Sequence, residues 1–348
     1  MKIVIGFITY NEGTAKYLPF FLPSLKQSLD FAFGNYETDA SYKILAFDNS
    51  EQQDNSNSRY IKNNFTDIDL FWSSKNLGFA GAYNPMIGRA VDLGAEYFLM
   101  INPDTIIAED SILNLIKILD ANERLGAVAP RILKWDFVNS EKTDIVDSDG
   151  IAMTTSHRAY DSNQGKRRTD LSDAMVPIFG FTGAAVLLRL TVLVDVAFDI
   201  CGRKEYLDEL MFMYKEDVDL SYRLQLAGHP IMLCPSAIVY HDRSASPLGN
   251  GLWQIIKNRK NKSRLVREWS FLNQWIFVIR YSSLPWKLPV KLKIWVYQLA
   301  ATLFAAIFEP YLLGQFKTII SNYKEIKLKY CQLKLKIALS DIEKILVK

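Results

Sequence analysis

The sequence predicts an α/β fold, a mostly parallel sheet flanked by helices, followed by a basic and aromatic helical extension. Three observations carry this. Short apolar runs alternate with stretches of helix-like periodicity through the first third of the chain. Those runs are apolar throughout rather than at every second residue, the pattern of strands covered on both faces. Charge also divides the chain: residues 251–348 hold 18 Lys and Arg against 5 Asp and Glu, whereas residues 1–250 hold 23 against 33.

The elements follow in order. Residues 3–11, 42–50, 69–76 and 97–104 read as strands. Residues 17–29, 78–94 and 111–126 have the spacing of helices, and the last two close on Gly94 and Gly126. The first apolar run is short and ends in polar residues, so it reads as a strand rather than a signal peptide. Residues 134–174 are polar with little periodicity, and predict a long excursion. Residues 176–190 predict a strand pair or strand–turn. Its small residues Gly180, Thr182, Gly183, Ala184 and Ala185 let a ligand approach the backbone. A helix opens at Glu216-Asp217 and ends near Ala227, before Gly228, with Asp219 placed to pair with Arg223. Residues 229–241 read as a strand interrupted at Cys234-Pro235 and ending on His241. The expected division is a catalytic domain over 1–250 and an extension over 251–348.

Each of the first four strands ends on polar residues: Thr9-Tyr10-Asn11, Asp48-Asn49-Ser50, Lys75-Asn76 and Asn102-Pro103-Asp104. In open α/β sheets ligands sit outside the carboxyl ends of the strands, so these groups converge on one edge. Pro103 lacks an N–H and stops the ladder there. A plainer reading stands beside this one. Asn-Pro-Asp-Thr is a good turn, acidic residues at a helix start complement its dipole, and a single His after a strand is commonly structural. The three cysteines, Cys201, Cys234 and Cys331, are far apart and form no CxxC pair, which points to a reducing compartment and away from a zinc site.

Taken in this order, "TYN" (9–11), "DNS" (48–50), "KNLGFAGAYN" (75–84), "INPDT" (101–105), "GFTGAAVLLR" (180–189), "YKEDVDLSYRLQLAG" (214–228) and "YH" (240–241) resemble glycosyltransferase family 2. These are inverting nucleotide-sugar transferases of GT-A fold, and the likeness is to the branch of bacterial rhamnosyl- and galactofuranosyltransferases. It covers about residues 1–245. The resemblance implies a nucleoside-diphosphate-sugar donor and Mg²⁺ or Mn²⁺. Asp104 matches the metal-binding aspartate, with Asn102-Pro103 in place of the usual first acid, and His241 matches an imidazole ligand. Asp217 matches the general base, with Glu216 beside it binding acceptor or tuning the base. Asp48 matches the position that receives pyrimidine or ribose. Thr9, Asn11, Asn76, Gly78 and Asn102 match nucleotide-lining positions, and Gly183 would lie under the donor sugar or acceptor. The donor expected by resemblance is dTDP-rhamnose, with UDP-hexose or UDP-galactofuranose as alternatives.

Two other readings remain at this point. A sugar- or nucleotide-binding protein without catalysis would explain the single carboxylate of "NPD", although Asp217 and His241 argue against it. A nucleotidyltransferase would need a basic, glycine-rich loop after the first strand, and "TYNEGTAKYL" is poor in both. In the tail, Trp253, Trp269, Trp275, Trp286 and Trp295 alternate with Lys and Arg, and residues 294–308 are apolar apart from Gln298. Such composition suits a helix lying on an anionic membrane surface, against the simpler reading of helices packed on the catalytic domain. No base-reading motif accompanies the charge, so nucleic acid is not expected. Relatives often extend glycans on polyprenyl-diphosphate lipids, so a saccharide or polyprenyl-linked glycan acceptor and a peripheral place at the cytoplasmic membrane face are expected.

Overall fold

The structure is a computed structural model that describes residues 1–36, 40–243, 259 and 262–347. Trp253 and most of the segment that opens the tail lie outside the described residues.

Lys2–Thr9 (β1) is buried on both faces through Ile3, Val4, Ile5 and Phe7. Asn11–Ala15 (α1) and Leu18–Gly34 (α2) follow it. Ser41–Asp48 (β2) lies parallel to β1, with Thr9 opposite Asp48. Ser56–Asn64 (α3) leads to Asp69–Trp72 (β3), parallel to β2, and Gly78–Asp92 (α4) leads to Tyr97–Ile101 (β4), parallel to β1. The order β3-β2-β1-β4 sets four carboxyl ends along one edge. Thr105–Ile107 (β5) and Ser111–Ala121 (α5) come next. α5 stops well short of Gly126. Asn122 leaves the helical region at φ −146°, and its side chain accepts from the Arg124 amide at 3.0 Å, a local bond that competes with the helix.

The excursion expected over 134–174 is instead rich in strands. Ala127–Asp136 (β6) pairs with Glu141–Ser148 (β7), and Ile151–Met153 (β8) pairs with Ala159–Asp161 (β9). Only the last three residues of β7 are buried, so its outer half looks like loop in sequence. The strand pair expected over 176–190 is also different. Val176–Ile178 (β10) pairs with the later Ile231–His241, whereas Ala185–Arg189 (β11) lies antiparallel between β4 and β6. After Leu190–Val196 (α6) comes a small hairpin, Phe198–Ile200 (β12) with Arg203–Glu205 (β13). Glu216–Leu226 (α7) then precedes Ile231–His241 (β14), which runs parallel to β6 with a register shift spanning Pro235. The sheet is therefore mixed, and mostly parallel in its first half.

The tail holds Arg264–Ser282 (α8), Leu288–Phe308 (α9), Gln315–Ser321 (α10), Tyr323–Cys331 (α11) and Leu339–Ile345 (α12). It shares one buried core with the α/β part. Leu272, Ile276, Phe277, Tyr281, Ile326 and Ile342 pack with Phe179, Val218, Tyr222 and Leu226. Buried ion pairs cross the same boundary. Arg280 bridges Asp208 and Asp219, each at 2.5 Å, and Lys329 reaches Glu205 at 2.7 Å and Asp208 at 2.6 Å. A division at residue 250 therefore cuts through a continuous core rather than between two bodies. α9 is the exception in one respect. It buries Val290, Ile294, Gln298 and Ala305 and turns an apolar face outward.

Candidate active site

The carboxyl edge brings the expected residues together, and their side chains divide into those that build the walls and those that face the cleft. Asp48 is a wall residue. It is fully buried, and its oxygens accept from the Ser50 amide (3.1 Å), Ser50 Oγ (2.5 Å) and Asn55 Nδ2 (2.6 Å). Asn11, at φ 45°, is held by its amide to Ser50 Oγ at 2.7 Å and by Asn57 Nδ2 on its carbonyl at 2.9 Å. Thr9 is buried, and its hydroxyl has no partner among the described residues. Asn76 is exposed and caps the Gly78 amide at 2.8 Å.

The glycines do make close approaches, but to protein. A Cβ on Gly78, at φ +70°, would stand 2.4 Å from the Phe212 carbonyl oxygen. One on Gly183 would stand 2.9 Å from the Phe79 ring, and one on Gly180 would stand 2.7 Å from Ser221. These positions let α4, α7 and the 180–184 loop pack together.

At the end of β4, Asn102 is half-buried. Its amide donates to the Ala184 carbonyl at 2.9 Å, and its carbonyl accepts from Thr105 Oγ1 at 2.6 Å, which fixes the turn that carries Asp104. Asp104 Oδ2 lies 3.4 Å from His241 Nε2, and its Oδ1 is buried without a partner among the described residues. His241 Nδ1 lies 3.0 Å from Asp147 Oδ2. Asp147, on β7, is the residue that sequence reasoning missed. Its signal was the acidic spacing of Asp144, Asp147 and Asp149 in a run that also holds Ile145 and Val146. Burial disfavours the imidazolium, but Asp104 and Asp147 on either side outweigh it and push His241 up to about 10. A cation there would displace that proton.

The residues fit a divalent ion. An orphaned buried carboxylate oxygen, an imidazole nitrogen facing the same carboxylate, and a second carboxylate orienting the imidazole are the parts of a ligated His with its outer partner. Among the described residues no three His, Cys, Asp or Glu side chains close on one point. Asp104 and His241 would thus be two protein ligands, with substrate phosphate and water completing the set, as hard cations bound with nucleotides usually arrange it.

The carboxylate pair opens α7. Asp217 Oδ2 accepts from the Gly183 amide at 2.9 Å and Oδ1 from its neighbour Val218 at 2.7 Å. Glu216 is buried, with Oε2 unpartnered among the described residues. Burial pushes both carboxyls up. Glu216 is raised well above its usual range, by burial and then by Asp217, while the amides of Gly183 and Val218 restrain the rise at Asp217. Glu216 is therefore the member that holds its proton and Asp217 the one that ionises first. Asp161, at the end of β9, adds its negative field to Asp217 and is gripped by Arg243 at 2.7 Å. Tyr83 connects the two ends: its phenol, raised by burial, is raised further by both Asp104 and Glu216, so both carboxylates face the same region.

The model of the family described as glycosyl transferase family 2 matches residues 4–186, more than half of the chain. The chain belongs to glycosyl transferase family 2. Among curated proteins this transferase is 23% identical over 254 residues to N-acetylglucosaminyl-diphospho-decaprenol L-rhamnosyltransferase of Mycobacterium tuberculosis, across 69% of this chain and 75% of the relative. Among solved structures it resembles GalNAc-T7, crystallised with UDP, GalNAc and Mn²⁺, at a TM-score of 0.52 and 11% identity. That match covers 84% of this chain and 53% of the other, so the chain spans about half of that structure's length. It also resembles S. aureus TarS 1–349, with a TM-score of 0.45, 13% identity, and coverage of 95% and 89%. The GalNAc-T7 likeness bears on fold alone, and agrees with the GT-A architecture described above.

Proposed function

We propose that this glycosyltransferase is inverting and metal-dependent, and moves L-rhamnose from dTDP-rhamnose to a saccharide on a polyprenyl diphosphate, in cell-surface polysaccharide synthesis. The observation that carries the reading is the Asp217 carboxylate at the start of α7, pinned by Oδ2 to the Gly183 amide at 2.9 Å beside the buried Glu216, on the edge that also carries Asp104 and His241. The rhamnosyl donor and the lipid diphosphate acceptor are supported by the name of the M. tuberculosis relative.

Inversion requires one displacement at the anomeric carbon. The acceptor oxygen forms its bond to that carbon as the bond to the diphosphate breaks, and the hydroxyl proton passes to Asp217. Each Asp217 oxygen keeps a lone pair beyond its amide bond, so it can receive that proton. Its raised basicity brings it closer to the hydroxyl it must deprotonate. Asp104 and His241 would hold Mg²⁺ or Mn²⁺, whose charge stabilises the departing diphosphate. Asp147 keeps the His241 ring oriented toward Asp104. Thr9, Asn11, Asn76 and the loop fixed by Asp48 would line the nucleotide.

The reading includes a peripheral place at the cytoplasmic membrane face. α9 is long and apolar enough to cross a membrane by length and composition. Its packed face, however, suits a helix laid in the interface. Leu288, Leu292, Val296, Leu299, Leu303 and Ile307 recur on the outward side, each 56–69% exposed, and Lys287, Lys291 and Lys293 stand at one end.

The test is nucleoside-diphosphate release from a panel of nucleotide sugars, with N-acetylglucosaminyl-diphospho-prenyl acceptor and Mn²⁺. Release is expected with dTDP-rhamnose, stopped by EDTA and restored by Mn²⁺ or Mg²⁺. Asp217→Asn should turn over about 10²–10⁴ times more slowly with donor affinity nearly unchanged. Release from a UDP-sugar alone would move the donor. Near wild-type transfer by Asp217→Asn would refute the base, and no release from any donor would leave a binding protein.

A further inference from the structure

The turn that leads into the catalytic pair is held in an unfavourable conformation. Phe212, Tyr214 and Lys215 have φ of 42°, 71° and 72°, the left-handed region that side chains with a Cβ disfavour. Three contacts impose it. Asn273 of α8, fully buried, reaches with Nδ2 to the carbonyls of Met211 (2.7 Å), Met213 (2.8 Å) and Tyr214 (2.7 Å). The amides of Phe79 and Ala80 donate to the Phe212 carbonyl at 2.6 and 3.3 Å. The Phe212 ring stacks on Trp269 with centroids 4.8 Å apart. Strain of this kind persists where surrounding structure over-determines it, and it clusters at ligand sites.

The turn presents Lys215 at the mouth of α7, half-buried, directly before Glu216 and Asp217. Its ammonium has no ion pair or hydrogen bond among the described residues. Burial, and then the positive charge of Lys262, push Lys215 down to about 8, with Asp217 and Glu216 opposing. Lys262 likewise has no ion pair among the described residues. Arg243, the next cation in this cluster, is already engaged by Asp161 at 2.7 Å and Asp147 at 3.6 Å. Lys215 thus stands two residues before Asp217, with the exposed Lys262 near enough to add its charge, in a site that also holds Asp104, His241, Asp161 and Arg243.

We propose that Lys215 and Lys262 form a diphosphate site beside the catalytic base, and that it receives the diphosphate of the lipid-linked acceptor. The inference rests on the proposed function for the identity of that acceptor. A sugar joined directly to a diphosphate carries its anion one ring away from the hydroxyl that attacks. Next to the Asp217 carboxylate that anion is repelled unless cations stand close to the base. The donor's own diphosphate belongs at the Asp104–His241 end. Lys215 is two residues from Asp217, and the Asn273 clamp gives it a fixed direction.

The experiment maps acetylation of Lys215 by mass spectrometry in the full-length protein with Mn²⁺. Geranyl diphosphate is the acceptor probe, dTDP and UDP are the donor probes, and geraniol is the uncharged control. Geranyl diphosphate should slow Lys215 acetylation at least tenfold, also with dTDP or UDP saturating, and geraniol should not. Lys262→Met should weaken that protection. Absence of protection by geranyl diphosphate overturns the site. Protection by dTDP or UDP that geranyl diphosphate does not extend assigns it to the donor and overturns the acceptor reading. In turnover, Lys215→Met should raise KM for N-acetylglucosaminyl-diphospho-prenyl acceptor about ten- to a hundredfold, the value of one charged hydrogen bond. That rise should be at least tenfold larger than on octyl N-acetylglucosaminide; equal losses overturn the proposal. The protection arm needs no turnover. An enzyme that binds geranyl diphosphate at Lys215 yet transfers to neither acceptor would refute the proposed function and leave the site standing.

Discussion

Arg280 is the most informative residue to remove, because it ties the tail to α7. Its guanidinium is fully buried, 2.5 Å from Asp208 Oδ2 and 2.5 Å from Asp219 Oδ1. Arg280→Met keeps much of the side-chain volume and removes the charge. The buried set then holds Asp208, Asp219 and Glu205 against Lys329 and Arg223, one negative charge in excess. Breaking a buried pair from one side costs about 3–5 kcal/mol. Asp208 keeps Lys329, and Asp219 keeps Arg223 and the Tyr281 hydroxyl, so the lower end, ~3 kcal/mol, is expected. That is a large part of the 5–15 kcal/mol that usually holds a domain together. At roughly 2 °C per kcal/mol for a chain of this size, Tm should fall by about 6 °C. The assay is thermal and urea unfolding of wild type, Arg280→Met, Asp208→Asn and the double variant. Adding Asp208→Asn to Arg280→Met should recover part of the loss, because it removes the uncompensated charge. A Tm for Arg280→Met within about a degree of wild type, or a double variant with the two losses simply summed, would refute the electrostatic account.

Two further outcomes follow from the same geometry. His157 is buried among Tyr222, Phe277 and Trp286, and burial pushes it down to about 3. The unfolded chain takes up this proton below about pH 6.5 and the folded chain does not, so stability falls as pH drops through that range. Between pH 7 and 5 the loss from this residue should be about 2 kcal/mol; the difference in urea midpoint between the two pH values should shrink in His157→Phe, and an unchanged pH response would count against a neutral buried imidazole. On α9, Leu299→Glu with Leu303→Glu should abolish co-sedimentation with phosphatidylserine-containing liposomes at unchanged Tm, since both side chains are exposed; retained binding would place the membrane contact elsewhere. A truncation at residue 250 is the poorer test, because it uncovers Tyr222, Phe179 and Val218 of the shared core.

The carboxyl-edge residues were legible in sequence for a simple reason. Parallel strands joined by helices all end on the same side, so Thr9, Asp48 and Asp104 had to share an edge once the alternation was recognised. The pair Glu216-Asp217 and the terminal His241 were legible by position, one opening a helix and one closing a strand. The small residues around Gly183 also marked a place of close approach, and the family resemblance marked Gly78. A sequence cannot say what does the approaching. Phe212 and Phe79 occupy those spaces, and they reach them only through the packing of α4 against the turn before α7.

The rest was decided by register and by contacts distant in sequence. Asp147 faces His241 across 94 positions of chain, set there by β7 pairing on β6 and β6 on β14, and nothing in a polar, irregular stretch foretells that alignment. Asn273 shapes the catalytic turn from 59 to 62 residues away, and Arg280 steadies Asp219 from a helix that composition alone assigned to a separate tail. The tail's charge and tryptophans were visible in the sequence. Which of its faces is buried was not, because periodicity shows that a helix has an apolar side and only tertiary packing shows what covers it. In α9 both sides are apolar, and the fold uses one of them.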